Sequence, residues 1–188
     1  MESPNLVKEL LAARESPAKI LEILRARALT PNEFRNDGPI SPAPFPYARN
    51  SLIADPDCEV MLARWTPGVV CAPHDHGASS GWVFFVEGRF EEIDYRWDGF
   101  GLVRGARAIR EAGTWAPVRS DEIHSCVCES AGLSLHVYFP RIRAMRVFDL
   151  ERERTLVVGD DCGAWIPVEA TQTRKVTPWP SRAPIARS

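Results

Sequence analysis

Lysine is nearly missing from this chain: of its 23 basic residues only Lys8, Lys19 and Lys175 are lysines, and the rest are arginines. Such heavy arginine use follows genome composition more often than function. Neither sign of charge is in excess. The formal net charge is −2, so nothing draws the whole chain to nucleic acid or to an anionic membrane. No apolar run approaches the roughly 20 residues that cross a bilayer. The N-terminus lacks the basic-then-apolar order of a signal peptide, and the cytoplasm is the expected location. Cysteine is sparse: Cys58, Cys71, Cys126, Cys128 and Cys162 are odd in number and have no CxxC spacing. That argues against a disulfide framework and against a zinc ribbon. Histidine is scarcer still, with four in the chain.

What is present reads as one folded domain over residues 1–188, with an ordinary apolar fraction of 45%. Residues 1–36 form a helical segment expected to pack on the main body. Ser3-Pro4 and Ser16-Pro17 each pair a capping residue with proline at the first helical position. Leu6, Leu10 and Leu11 make one apolar stripe, and Ile20, Ile23 and Leu24 a second. Thr30-Pro31 starts a short turn, and the Pro/Gly-rich segment 38–46 closes the region. From Tyr47 the texture changes to short β-type runs near 47–53, 58–65, 69–76, 81–86, 89–97, 102–110, 115–118, 123–128 and 132–139. Asp55-Pro56, Thr66-Pro67-Gly68, Glu87-Gly88 and Asp98-Gly99 supply turns. Many short strands at close spacing point to an antiparallel sandwich or barrel. Residues 140–158 read as mixed turn and strand, and 171–188 as a C-terminal tail that wraps the surface or frays.

The four histidines all fall in strand-like stretches. His74 and His76 are two apart, a spacing that puts both imidazoles on one face of a strand. Imidazole is the commonest side-chain metal ligand. A bare His-x-His is a weak signal; the company of His124 and His136 strengthens it.

These residues resemble the cupin signatures. Gly68, His74, His76 and Gly88 fit the first signature's spacing, with Gly81 standing where that motif usually has a glutamate ligand. Gly113 and His124 fit the second, in which Arg119, Asp121 and Cys128 replace the usual proline, glycine and asparagine. Further stretches narrow the resemblance to the cysteine dioxygenase family: Tyr47-Ala-Arg49-Asn50, Ser134-Leu-His136-Val-Tyr138 and Phe148-Asp149. The resemblance spans roughly 45–150, and the N-terminal helices are in keeping with it.

The resemblance implies a mainly β fold, a cupin barrel of the double-stranded β-helix or jelly-roll kind with short N-terminal helices. It implies Fe(2+) held by His74, His76 and His124 without a carboxylate, a small thiol and O2 as reactants, and a cysteine sulfinic acid product. Three neutral imidazoles leave a divalent ion its full charge, which favours an anionic thiolate. Arg49, oriented or assisted by Tyr47, is implied to bind the substrate carboxylate through its planar fork. Ser134, His136 and Tyr138 are implied to form a relay beside the metal. Because glycine at 81 cannot crosslink, Tyr138 is expected unmodified. Phe139-Pro140 replaces a Ser-Pro, so a cis bond and a reshaped pocket are both in view.

Competing readings stay open at this level. His136 can be a hydrogen-bonded core histidine, Tyr138 a core aromatic, and Arg49 a solvated arginine before a strand. Cys71, Cys126 and Cys128 read as small apolar core residues. Another thiol carboxylate, mercaptosuccinate or 3-mercaptopropionate, is an alternative substrate. A zinc hydrolase or a non-catalytic ligand-binding cupin is an alternative class. No nucleic-acid or membrane partner is expected, and a monomer or weak homo-oligomer is.

Overall fold

The computed structural model describes residues 4–27, 29–34 and 44–181. The cap expected at Ser3 and most of the 38–46 segment lie outside the described residues. Helices α1 (Pro4–Ala12) and α2 (Pro17–Arg25) come first. The Ser16 hydroxyl accepts from the Lys19 amide at 3.4 Å, and Pro17 opens the helix, as the Ser-Pro pairing predicts. A 3-10 turn follows at Pro31–Phe34. Leu10, Ile20, Leu24 and Phe34 are buried to within 1%; side chains buried this fully are worth about 1.5–3 kcal/mol each.

The rest of the described chain is β. Strands β1 (Tyr47–Ala54), β2 (Glu59–Trp65), β3 (Ser80–Glu87), β4 (Arg89–Trp97), β5 (Leu102–Glu111) and β6 (Trp115–Val118) come in turn. They are followed by β7 (Ile123–Cys128), β8 (Gly132–Phe139), β9 (Arg146–Asp149), β10 (Arg154–Val158) and β11 (Thr173–Pro178). Three antiparallel sheets result, in the orders β1-β2-β8-β3-β6, β5-β4-β7 and β11-β10-β9. This is the mainly β cupin barrel with two short helices that the motifs lead one to expect.

Period-two alternation explains why the large sheet is apolar on both sides. Val60, Leu62, Phe84, Leu133, Leu135 and Val137 form its outer face and pack on the N-terminal helices. Met61, Ala63, Trp65, Val83, Phe85 and Tyr138 form its inner face and fill the barrel. Functional side chains on β1, β2 and β8 therefore share the parity of this inner core.

Three expectations need correction. Residues 69–76 are not a regular strand. The segment hydrogen-bonds to β7 at Gly68–Cys128, Cys71–Cys126 and His74–His124. Each step takes three residues on one side and two on the other, so an extra residue bulges out every time. The tail is not frayed over its first part, because β11 completes a sheet with β10 and Trp179 stacks edge-on against Trp97 at 5.4 Å. Residues 182–188 lie outside the described residues. Phe139 is joined to Pro140 by a cis bond, but it does not reshape the barrel interior. It has the parity opposite to Tyr138 and packs outward near Trp82, their ring centroids 6.5 Å apart.

Candidate metal centre

The bulged segment and β7 bring three imidazoles together. The amides of His74 and His124 each donate to the other's carbonyl, at 2.9 and 3.0 Å, making them a direct cross-strand pair. Val147 of β9 bridges His74 from the other side. Between the two histidines of the segment, Asp75 points away and is fully buried. Its carboxylate accepts from the Gly77 and Arg146 amides, at 3.1 and 2.9 Å, and from the Arg146 guanidinium. Gly77 has φ +62°, and a Cβ there would stand 2.3 Å from the Arg143 carbonyl oxygen, so only glycine turns the chain here.

One ligand atom from each of His74, His76 and His124 lies within 4.8 Å of the other two. All three side chains are buried. Burial, reinforced by the neighbouring His124, pushes His74 down to about 3, and burial likewise lowers His76 well below the usual histidine range. Both rings are neutral at physiological pH and offer a lone pair. Hydrogen bonds decide which nitrogen carries it. The His74 Nδ1–H donates to the Ala72 carbonyl at 2.9 Å, which leaves Nε2 unprotonated. The His124 Nδ1–H donates to Glu92 Oε1 at 2.5 Å, which leaves Nε2 as the ring atom turned to a metal. Burial opposes ionisation of Glu92, but the bonds and charges of His124 and Arg110 outweigh it and bring the pKa to about 2. Glu92 is therefore a carboxylate, held on its other oxygen by Arg110 Nε at 2.7 Å. The buried Nδ1 of His76 has no hydrogen-bond partner among the described residues. Oriented rings around an unpartnered buried nitrogen fit a metal ion, and an all-imidazole set suits iron, zinc, copper or nickel.

The backbone forbids a fourth, acidic ligand at position 81. Gly81 pairs with Tyr138 across β3 and β8, and a Cβ there would lie 1.8 Å from the Val137 carbonyl oxygen. No side chain, glutamate or cysteine, fits without moving the strand.

The residues expected to form a relay, Ser134, His136 and Tyr138, line up on β8. Trp65 Nε1–H donates to Ser134 Oγ at 2.8 Å, Ser134 Oγ lies 2.7 Å from His136 Nε2, and His136 Nδ1 lies 2.9 Å from Tyr138 Oη. Burial lowers His136 to about 3 and raises Tyr138 well above the usual phenol value, so both are neutral. The Tyr138 ring stacks on His76 with centroids 5.2 Å apart. All these residues except Ser134 line one pocket, along with Met61, Val83, Phe85, Ile142 and Met145.

Tyr47 and Arg49 reach the same pocket, but most of their polar groups are already engaged. Tyr47 Oη accepts from the Ala164 amide at 2.9 Å. Arg49 Nε–H donates to Met61 Sδ at 3.2 Å, and its Nη1 donates to the carbonyls of Asp160 and Cys162 at 3.1 and 2.8 Å. Its Nη2 donates to Glu59 Oε1 at 2.5 Å. The reading of Arg49 as solvated does not survive: the side chain is 20% exposed and ion-paired to a Glu59 that is 2% exposed.

Sequence reasoning passed over Glu92, Trp65, Glu59 and the 159–165 loop. Glu92 had a signal: it is two residues from Phe90, on the core parity of β4. The loop carbonyls had none, since a backbone acceptor leaves no mark in side-chain chemistry. Cys71 and Cys126 are buried thiols, as expected. Burial pushes Cys71 up to about 12 and Cys126 well above the usual thiol value, so both are protonated.

A cupin barrel with a three-histidine metal pocket is thus the class that fold and site define. The sequence profile of the family described as cysteine dioxygenase type I matches residues 5–151, and the chain belongs to that family. It is accordingly a metal-dependent dioxygenase acting on a small substrate with O2. Among solved structures it is similar to KdgF from Halomonas sp., at 18% identity and TM-score 0.46 over 56% of this chain and 91% of that one. It is also similar to an RmlC-like cupin from Shewanella frigidimarina, at 20% identity and TM-score 0.44 over 54% and 83%. A hydroquinone 1,2-dioxygenase from Sphingomonas sp. matches at 14% identity and TM-score 0.42 over 53% and 69%. At these scores the likenesses carry no functional weight. No helix among the described residues is long and apolar enough to cross a membrane.

Proposed function

We propose that the protein is a non-haem iron(II) thiol dioxygenase that converts L-cysteine and O2 to cysteine sulfinic acid. The observation that carries this reading is the trio of imidazoles of His74, His76 and His124, with the Val137 carbonyl occupying the space an acidic ligand would need. A dication held only by neutral ligands keeps its charge for an anionic thiolate. Ferrous iron, when bound, supplies the redox chemistry that joins the thiol sulfur to both atoms of dioxygen.

The chain's own residues bind, orient and move protons. The carbonyl of Ala72 and the carboxylate of Glu92 fix the tautomers of two ligand rings. Apolar Met61, Val83, Phe85 and Ile142 exclude water from the reacting atoms. The hydrogen-bond chain has two consistent proton arrangements, both compatible with Trp65, whose indole can only donate. In one, Ser134 donates to His136 Nε2, His136 Nδ1–H donates to Tyr138 Oη, and the phenol proton is free to face the pocket. In the other, His136 donates to Ser134 and accepts from Tyr138, which withdraws that proton. Tyr138 therefore offers or withholds one hydrogen bond at the pocket wall without any charge being buried.

A second reading has its own observation. Arg49 has little of its fork free for a carboxylate, so nothing at that residue favours the carboxylate of L-cysteine over those of mercaptosuccinate or 3-mercaptopropionate, the alternative substrates. Oxygen uptake by the iron-loaded protein, with product identification for each of the three thiols, tests both readings. Highest kcat/KM with L-cysteine supports the first, a higher value with another thiol supports the second, and no uptake with any thiol refutes both.

A further inference from the structure

The Arg49–Glu59 pair deserves a functional reading of its own, one that rests on the proposed thiol chemistry. A guanidinium has five N–H donors. Four of the five on Arg49 are spent on Met61, the Asp160 and Cys162 carbonyls and Glu59, so among the described residues one Nη2–H is left. Glu59 is buried to 1% and does not itself line the pocket. It is tied down on its second oxygen by the Ile142 amide at 3.3 Å. Its backbone is fixed between two strands of the large sheet, opposite Ala54 on β1 and Tyr138 on β8. The carboxylate thus stands behind the pocket wall, neutralises the cation in front of it and holds the fork on protein atoms.

We infer that Glu59 is a specificity-determining residue: as the buried counter-ion of Arg49, it limits how much binding a substrate carboxylate can gain. A carboxylate entering the pocket meets a neutral pair and a single N–H, where a free guanidinium would offer a bidentate grip and a full charge. The pocket is consequently tuned to the thiol and only weakly to the acid group, so thiols that differ in their carboxylate are discriminated modestly. Removing the charge on Glu59 while keeping its shape should release Arg49 to the substrate and sharpen that discrimination.

The test is anaerobic calorimetry of the iron(II)-loaded protein with L-cysteine and with cysteamine, which has the same thiol and amine but no carboxylate. Wild type should bind the two with a small preference for L-cysteine. Glu59→Gln, nearly isosteric, should increase that preference about tenfold, the scale of one charge-assisted hydrogen bond gained. Adding Arg49→Gln to Glu59→Gln should return the preference to the wild-type value. If Glu59→Gln does not fold, Glu59→Asp keeps the charge but draws it back from Nη2, and should move the preference the same way by less. An unchanged preference in the folded variants overturns the role of Glu59 and leaves the dioxygenase reading standing. No binding of either thiol to wild type overturns both together.

Discussion

Glu92 is the side chain whose removal should weaken metal binding most without touching a ligand. It accepts the His124 Nδ1–H at 2.5 Å and is itself held by Arg110 at 2.7 Å, with 6% of its surface exposed. Glu92→Ala deletes the acceptor that selects the His124 tautomer and leaves a buried N–H unpaired. An unsatisfied buried donor costs about 1–3 kcal/mol, and loss of a ligand's hydrogen-bond partner lowers metal affinity about 10–100-fold. Glu92→Gln keeps an acceptor oxygen but not the charge, so it should lose less, nearer tenfold. Competition of each variant against a chelator of known affinity measures this directly, with iron and with a redox-silent divalent ion. His76 cannot compensate, because its buried Nδ1 has no hydrogen-bond partner among the described residues. Affinities equal to wild type for both variants would refute the assignment of His124 to the metal.

Gly81→Ala should destabilise the fold by about 2–4 kcal/mol, since the new methyl meets a β8 carbonyl and not a yielding side chain; urea denaturation checks it, and a neutral result would contradict the close approach of β3 to β8. Metal-free protein should lose stability as pH falls below about 6.5. His74 and His136 stay neutral in the fold down to about 3, whereas unfolded histidines take up protons from about 6.5, so each contributes a loss of about 2 kcal/mol by pH 5. Glu92, with its pKa brought down to about 2, adds its own loss only below the unfolded glutamate value near 4.3. Denaturation midpoints at two pH values in the presence of a chelator measure the slope, and a flat profile would contradict neutral burial. Trp65→Phe removes the donor that orders Ser134 while keeping an aromatic ring; kcat should fall several-fold with metal content unchanged, and an unchanged kcat would remove Trp65 from the relay. Intact mass should show Tyr138 uncrosslinked, and a loss of two hydrogens localised there would contradict this.

Much of this was legible in the sequence because strand periodicity is rigid. Ser134, His136 and Tyr138 sit two apart, and the sheet delivers all three to one face. His74 and His76 converge too, although not by strand parity: the bulges in 69–76 bend the chain, and Asp75 with Gly77 turns it. The irregular path was hidden because a bulge depends on the partner strand, which local sequence does not reveal. The role of Gly81 was visible as a missing ligand, but its reason, a carbonyl in the Cβ position, is tertiary. β11 went unrecognised because Arg174, Lys175 and Pro178 make an exposed edge strand look like a tail. Arg49 shows the sharpest limit. Its neighbours Tyr47 and Asn50 mark it as important, yet its partners Glu59, Asp160 and Cys162 come from two other segments, and they decide what its fork can do.

The most direct test of the central claim is product analysis with isotopic oxygen. Protein loaded anaerobically with iron(II) would be given L-cysteine and ¹⁸O₂, and the product weighed by mass spectrometry. Cysteine sulfinic acid carrying two labelled oxygens, formed in proportion to bound iron and lost in His124→Ala, is the predicted result. Iron-replete protein that leaves every small thiol unoxidised, or a product whose oxygens come from water, would contradict it.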